Sequence, residues 1–412
     1  GDKSISHRSV IIGSIAEGVT EIDGFLGGED NLATIDAFRL MGVDIARTGE
    51  SIVRVEGRGM RSLKEPEDVI DAGNSGTTTR LLMGLLSAQP FFSVLTGDAS
   101  LRKRPMKRVV EPLLEMGASI SGRKDSSLLP VAVSGRRLRG ISYATPVASA
   151  QLKSAILLAG IYADGETTVV EKEKSRDHTE RMLKLFGADI EVKGNSVAVR
   201  STKELNGCKI NVPGDISSAA FFMVGAMITP ESELVIRGVG VNPARTGIIH
   251  ILRRMGGSIE LFNEREVSAE PVADIRIKSS RLNGVDIGGR ELLSAIDEFP
   301  ALCVAASFAS GATAISGASE LRVKESDRIA VMASSLNALG VGNVEKEDGI
   351  IIEGRDAGIK GGVVESFGDH RIAMSMAIAA LRSRSGIEIR GARSVDVSFP
   401  GFFNELERVK AR

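Results

Sequence analysis

The chain has 412 residues, and its 52 Lys and Arg against 53 Asp and Glu give a formal net charge of −1. That balance excludes the basic excess of a dedicated nucleic-acid binder, so no nucleic-acid partner is expected. Hydrophobic residues make up 42% and charged residues 25%, enough for a large buried core in two or three domains of roughly 150 residues, and no apolar stretch approaches the roughly 18 residues of a membrane span.

The opening Gly1-Asp2-Lys3-Ser4-Ile5-Ser6-His7-Arg8 leads into an apolar helical run, Val10 to Ala16. No apolar targeting region stands at this start, so a cytoplasmic location is expected. A second helix ends at Leu40-Met41-Gly42, followed by an alternating segment, Val43-Asp44-Ile45. The same helix end returns at Met116-Gly117, Phe186-Gly187, Met255-Gly256 and Leu339-Gly340, in steps of 75, 70, 69 and 84 residues. A glycine there fits the left-handed C′ position of a helix. Upstream of each such helix lies a more apolar one: Val10 to Ala16, Leu81 to Leu86, Leu152 to Ala159, Ala219 to Met227 and Ala301 to Ala309. Between the two helices runs a β-like segment such as Thr167-Thr168-Val169-Val170. Each unit therefore reads helix, strand, helix, strand, strand.

A sixth unit begins at His370-Arg371-Ile372-Ala373 and stops after Phe402 to Val409, before its closing Gly and strands. The halves also start alike, with Gly214-Asp215-Ile216-Ser217 repeating Gly1-Asp2-Lys3-Ser4 at an offset of 213. An α/β (α+β) protein of two pseudo-equivalent three-repeat domains follows, 1–213 and 214–412, with a hinge at Pro213-Gly214.

The helix starts carry the chemistry. Gly73-Asn74-Ser75-Gly76-Thr77-Thr78-Thr79-Arg80 presents small and hydroxyl residues, and both it and the 1–8 segment suit an anion at a helix N-terminus. Ordinary capping explains either one alone. Cations gather at further boundaries: Arg102 to Arg108, Ser175-Arg176-Asp177-His178, Leu321 to Arg328 and Gly368-Asp369-His370-Arg371. One helix dipole contributes about 0.3–1 kcal/mol and each charge-assisted hydrogen bond about 1.5–3 kcal/mol, so convergence of several cations would hold a polyanionic small molecule. Asp297 and Glu325 lie at such boundaries. Each is either a proton acceptor among cations or a capping residue, and residue types leave the two readings even.

Gly-Asp-Lys-Ser-Ile-Ser-His-Arg at 1–8, Gly-Asn-Ser-Gly-Thr at 73–77, Arg-Val-Lys-Glu-Ser-Asp-Arg at 322–328 and Gly-Asp-His-Arg at 368–371 resemble the signatures of the EPSP synthase (3-phosphoshikimate 1-carboxyvinyltransferase) family, in that family's order. The resemblance implies a two-domain inverse α/β barrel built from six βαβαββ repeats, with a segment upstream of Lys3 completing the second domain. It implies transfer of the enolpyruvyl group of phosphoenolpyruvate to the 5-hydroxyl of shikimate 3-phosphate, in the shikimate pathway of aromatic amino-acid biosynthesis, by a monomer. Lys3, Ser4, Arg8, Ser149, Gln151, Ser175, Asp297 and Lys324 would bind shikimate 3-phosphate. Lys3, Gly76, Arg104, Gln151, Arg328 and Arg371 would bind phosphoenolpyruvate, where glyphosate competes in this family. Lys3, Asp297 and Glu325 would share the proton transfers. Because these residues come from both halves, the resemblance also implies hinge closure over the substrates, with like-signed cations favouring an open empty form.

Four positions depart from the pattern of some members: Leu81 stands for Pro, Ala150 for Ser, Glu320 for Asn and Val397 for Lys. The related transferase acting on UDP-N-acetylglucosamine carries a catalytic Cys in a mobile loop, whereas the corresponding Arg102 to Lys107 segment has none. Cys303 reads as core and Cys208 lies outside every motif, without C-x-x-C spacing. A non-catalytic sugar-phosphate binder is disfavoured by the proton-handling residues. His7, His178, His250 and His370 lie far apart, so no metal and no organic cofactor are expected.

Overall fold

The structure is a computed structural model that describes residues 1–410; positions 411 and 412, the end of the expected second domain, lie outside the described residues. All five phrase glycines have positive φ: 83° at Gly42, 96° at Gly117, 95° at Gly187, 95° at Gly256 and 78° at Gly340. A Cβ would be strained in that conformation, which explains the recurrent residue.

The first unit runs as helix Lys3–Ile15, strand Glu17–Asp23, helix Glu29–Leu40, and strands Asp44–Arg47 and Ile52–Arg58. The order repeats from helices Gly76–Leu86, Ala150–Gly160, Ile216–Ile228 and Phe299–Ser307, and in part from His370–Ala380. The first four of these helices are longer than their apolar runs because their N-terminal turns are helical too, whereas Phe299–Ser307 starts and ends two residues before the run expected from Ala301 to Ala309. Val10, Ile11, Ile12 and Ile15 are fully buried, so the more apolar helix of each pair is interior.

One element escaped the sequence. A short strand precedes most units and pairs parallel with the first long strand: Ile70–Asp71 with Phe92–Thr96, Ser142–Thr145 with Glu166–Glu171, Asp286–Ile287 with Gly311–Ile315, and Gly362–Glu365 with Ile387–Arg390. Runs of two to four residues are too short to show a period of two. The first unit takes this strand from Lys209–Asn211, with Glu21 opposite Lys209. Its sheet has the order Lys209–Asn211, Glu17–Asp23, Ile52–Arg58, Asp44–Arg47.

The chain divides into two compact units, Gly1–Val212 with Val267–Glu270, and Pro213–Glu266 with Pro271 onward. Pro213 thus groups with the second unit, one residue earlier than the boundary read from sequence. The Val212 N–H donates to the Asp23 carbonyl at 2.8 Å, and the Gly214 N–H to the Gly238 carbonyl at 2.8 Å. Each unit carries three of the described sheets and its own apolar core.

Candidate active site

In the first unit, Asp2 caps helix Lys3–Ile15, its carboxylate accepting the Ile5 N–H at 2.9 Å. The first two turns of this helix carry Lys3, Ser4 and Arg8. Lys3 Nζ pairs with the Asp30 carboxylate. Arg8 is buried; its Nε donates to Thr179 Oγ1 at 2.6 Å, Nη2 to Ser154 Oγ at 2.8 Å and Nη1 to the Ser4 carbonyl at 3.0 Å. Burial pulls the Arg8 pKa down to about 10, opposed by Glu180 and Asp2. The guanidinium still keeps its charge at neutral pH.

Ser75 caps helix Gly76–Leu86, and Ser149 caps helix Ala150–Gly160. Gln151 joins these two helices: Oε1 accepts from Arg80 Nη1 at 2.9 Å and Nε2 donates to Thr77 Oγ1 at 2.9 Å. Arg104 donates through Nη2 to Asn74 Oδ1 at 2.5 Å and through Nη1 to the Asn74 carbonyl at 3.3 Å. A Cβ built on Gly76 would lie 2.7 Å from Arg80 Nη1 and 3.6 Å from Arg104 Nη1. Two guanidinium groups therefore reach the start of that helix, where a small residue leaves them room.

Ser175 does not face open space. Its hydroxyl donates to Glu171, which also pairs with Lys153 Nζ at 2.7 Å. Lys153 Nζ lies 2.6 Å from Glu180 as well, with all three side chains buried. Burial acts to lower the Lys153 pKa, but Glu180 and Glu171 outweigh it and the ammonium is retained.

In the second unit, Asp297 and Glu325 meet on one guanidinium. Arg328 Nη1 lies 3.7 Å from Asp297 Oδ1, Nη2 is 2.6 Å from Glu325 Oε2, and Nε is 2.8 Å from Asp369 Oδ2. The pKa of Arg328 is raised, because Asp369, Glu325 and Asp297 outweigh its burial. Arg371 Nη2 lies 3.8 Å from Asp297 Oδ2, and its Nη1 donates to the Asp297 carbonyl at 2.9 Å. Lys324 Nζ pairs with Glu320 Oε1 at 2.9 Å.

Neither Asp297 nor Glu325 is the N-cap residue of the helix that follows it. Asp327 accepts the Ala330 N–H at 3.0 Å and caps helix Arg328–Ala338, while Glu298 occupies the N-cap of Phe299–Ser307 without a side-chain cap bond.

Sequence reading passed over Arg80, Asp30, Lys153, Glu171 and Asp369 as site residues. A lysine inside the apolar run Leu152 to Ala159 was the available signal, since a buried ammonium needs carboxylates. Cys303 is buried in the core and burial pushes its thiol pKa well up; burial also raises that of half-buried Cys208. Among the described residues, no group of three or more His, Cys, Asp or Glu is placed to hold a metal ion, and no helix is long and apolar enough to cross a membrane.

Residues 1–406 match the family model of EPSP synthase (3-phosphoshikimate 1-carboxyvinyltransferase). The chain is 60% identical over 412 residues to the 3-phosphoshikimate 1-carboxyvinyltransferase of Geobacter metallireducens, a match spanning all of this chain and 96% of that one. The protein of the same description from Geotalea uraniireducens is 60% identical over 409 residues, spanning 99% and 95%. A solved EPSP synthase from Acinetobacter baumannii matches with a TM-score of 0.89 and 52% identity, over 99% of this chain and 94% of that one. With its signature strings, its helix-start cations and its whole length in agreement, the chain belongs to the EPSP synthase (3-phosphoshikimate 1-carboxyvinyltransferase) family.

Proposed function

We infer that this chain is the enzyme that transfers the enolpyruvyl group of phosphoenolpyruvate to the 5-hydroxyl of shikimate 3-phosphate, releasing phosphate and 5-enolpyruvylshikimate 3-phosphate. The observation that carries the reading is the grouping of Asp297 and Glu325 on buried Arg328. Two carboxylates beside guanidinium groups can exchange protons with a bound substrate, and the same cations neutralise phosphate.

Phosphate recognition follows from charge-assisted hydrogen bonds, the strong kind for a dianionic group. Ser4, Arg8, Ser149, Gln151, Ser175, Asp297 and Lys324, with Lys3, bind shikimate 3-phosphate in this proposal. Lys3, Gly76, Arg104, Gln151, Arg328 and Arg371 bind phosphoenolpyruvate. A carboxylate takes the proton of the 5-hydroxyl as its oxygen attacks C2 of phosphoenolpyruvate, and an acid delivers a proton to C3. The tetrahedral adduct then loses a C3 proton and expels phosphate, restoring the enol double bond. Lys3, Asp297 and Glu325 share these transfers as a coupled set.

The domain reading, 1–213 and 214–412 as inverse α/β barrels of three βαβαββ repeats each, is part of the same proposal, as are the monomeric state and the cytoplasmic location. Four of the six described sheets share one four-strand order, which supports the repeats. The test is release of phosphate from phosphoenolpyruvate with and without shikimate 3-phosphate. Release that needs both substrates supports the transfer, and release from phosphoenolpyruvate alone would replace it with a phosphatase. Activity should persist after chelation, since Lys and Arg supply the neutralising charge.

A further inference from the structure

Three helices of the first unit are joined by a run of buried hydroxyl groups. His7 Nδ1 lies 2.7 Å from Thr34 Oγ1, Thr34 Oγ1 lies 2.7 Å from Thr78 Oγ1, and Thr78 Oγ1 lies 2.7 Å from Ser75 Oγ. His7 belongs to helix Lys3–Ile15, Thr34 to Glu29–Leu40 and Thr78 to Gly76–Leu86, whose cap is Ser75. All four residues are fully buried. Ser75 Oγ also accepts the Thr78 N–H at 3.1 Å.

The proposed reaction uses none of these four side chains, yet both ends of the run adjoin residues that it does use. His7 stands beside Arg8 and one turn after Lys3, and Ser75 stands beside Gly76. Thr34 and Thr78 also lie 3.5 Å and 3.4 Å from the carbonyl of Asp30, whose carboxylate holds Lys3.

Packing alone does not account for the run. Valine has nearly the volume of threonine and leaves no polar atom to satisfy, so apolar residues would fill the same space at less risk. His7 Nε2 finds no hydrogen-bond partner among the described residues, so the ring is kept for its Nδ1 contact despite an unmet nitrogen. Burial, then Lys3 and Arg8, hold its pKa well below the usual imidazole value, which makes it neutral. A neutral ring that donates from Nδ1 leaves Nε2 as a bare acceptor, the less costly kind of buried orphan. Hydroxyl groups linked in this way fix one rotamer each, and so fix how the three helices register.

We propose that His7, Thr34 and Thr78 are positioning residues that act through Ser75 to hold the Gly76 helix start in register with the Lys3–Asp30 pair, and so set the affinity for phosphoenolpyruvate. The inference rests on the reading that this helix start binds phosphoenolpyruvate.

Steady-state kinetics of Thr34→Val, Thr78→Val, their double variant and Thr78→Ser test it, with thermal unfolding recorded for each. Either valine should raise KM for phosphoenolpyruvate about tenfold, the scale of one lost hydrogen bond, while kcat and KM for shikimate 3-phosphate stay within about twofold. The double variant should be no worse than either single, because one break already uncouples the run. Thr78→Ser should restore KM. Wild-type KM for phosphoenolpyruvate in both valine variants overturns the proposal, as do multiplying effects in the double, or both KM values rising in step with a fall in Tm. If Thr78→Val fails to fold, Thr34→Val decides alone from another helix. Gly76→Ala separates the two levels: its new Cβ meets Arg80 Nη1 and should raise KM for phosphoenolpyruvate whatever the hydroxyl groups do. Normal KM in Gly76→Ala removes the underlying reading and the proposal together. Impaired Gly76→Ala beside normal valine variants removes the proposal alone.

Discussion

Helices Lys3–Ile15 and Ile216–Ile228 begin the two halves of the sequence and are built alike. Each has 13 residues, an Asp cap in extended conformation and an extended residue at its C-cap. Their contents are opposite. At matching positions the first presents Lys3, Ser6, His7 and Arg8, and the second Ile216, Ala219, Ala220 and Phe221. Arg8 reaches Thr179 and Ser154, whereas Phe221 packs edge-on against Phe402 with ring centroids 6.2 Å apart. Next to it, Phe222 meets Phe399 and Phe402 at 6.0 and 5.5 Å. In the second unit the charges have moved to other helix starts, at Asp297, Arg328 and Arg371. Two helices with the same caps and length therefore differ in what they carry, charged and polar groups in the first and apolar core residues in the second.

Substitutions at equivalent positions should separate the two roles. The largest effect belongs to Phe221→Ala, which should cost about 3–5 kcal/mol of stability in denaturant unfolding, the range for a buried aromatic, while the folded fraction keeps its kcat. A cost below about 1 kcal/mol would show that the second helix is not core in the sense argued, given that range. Next come Lys3→Met, Asp297→Asn and Glu325→Gln, each lowering kcat at least ~10²-fold with stability little changed. Ile216→Met, the structural counterpart of Lys3→Met, should leave kcat alone. Near-normal turnover in any of the three removes that residue from the proton-handling set. Arg8→Gln should raise KM for shikimate 3-phosphate roughly 10- to 100-fold, as expected for one charged hydrogen bond of about 1.5–3 kcal/mol. An unchanged KM would reduce Arg8 to a link between helices.

How far these contrasts were legible in the sequence depended on the range of the interaction. The helix ends were readable because the backbone at Gly42, Gly117, Gly187, Gly256 and Gly340 demands glycine, a purely local rule. Cap residues Asp2, Ser75 and Asp215 were readable for the same reason. Pairings between distant residues left little local trace beyond Lys153 in its apolar run. Asp30 against Lys3, Glu171 and Glu180 against Lys153, and Asp369 against Arg328 are contacts of the folded chain. They also change the electrostatics expected from counting cations. Lys3, Lys324 and Arg328 each stand beside a carboxylate.

The smallest predicted effect concerns pH and returns to the paired helices, at His7 and its counterpart Ala220. Burial first, then Lys3 and Arg8, hold the His7 pKa well below 6.5. Between that lowered value and 6.5 the unfolded chain binds a proton that the folded chain refuses. Stability is therefore lost as pH falls below 6.5, by at most about 1.4 kcal/mol per pH unit, and above 6.5 the group contributes no pH dependence. Ala220 contributes none at any pH. Urea unfolding at pH of about 7.5 and about 5.5 checks this with His7→Asn, whose amide nitrogen stands where Nδ1 does and keeps a donor for Thr34. Carboxylates titrate alike in both proteins and cancel in the difference, so the wild type should lose more stability than the variant over this interval. Parallel losses would mean that the folded ring accepts the proton after all. The neutral imidazole at the head of the hydroxyl run would then have to be given up, and with it the donor order argued for His7.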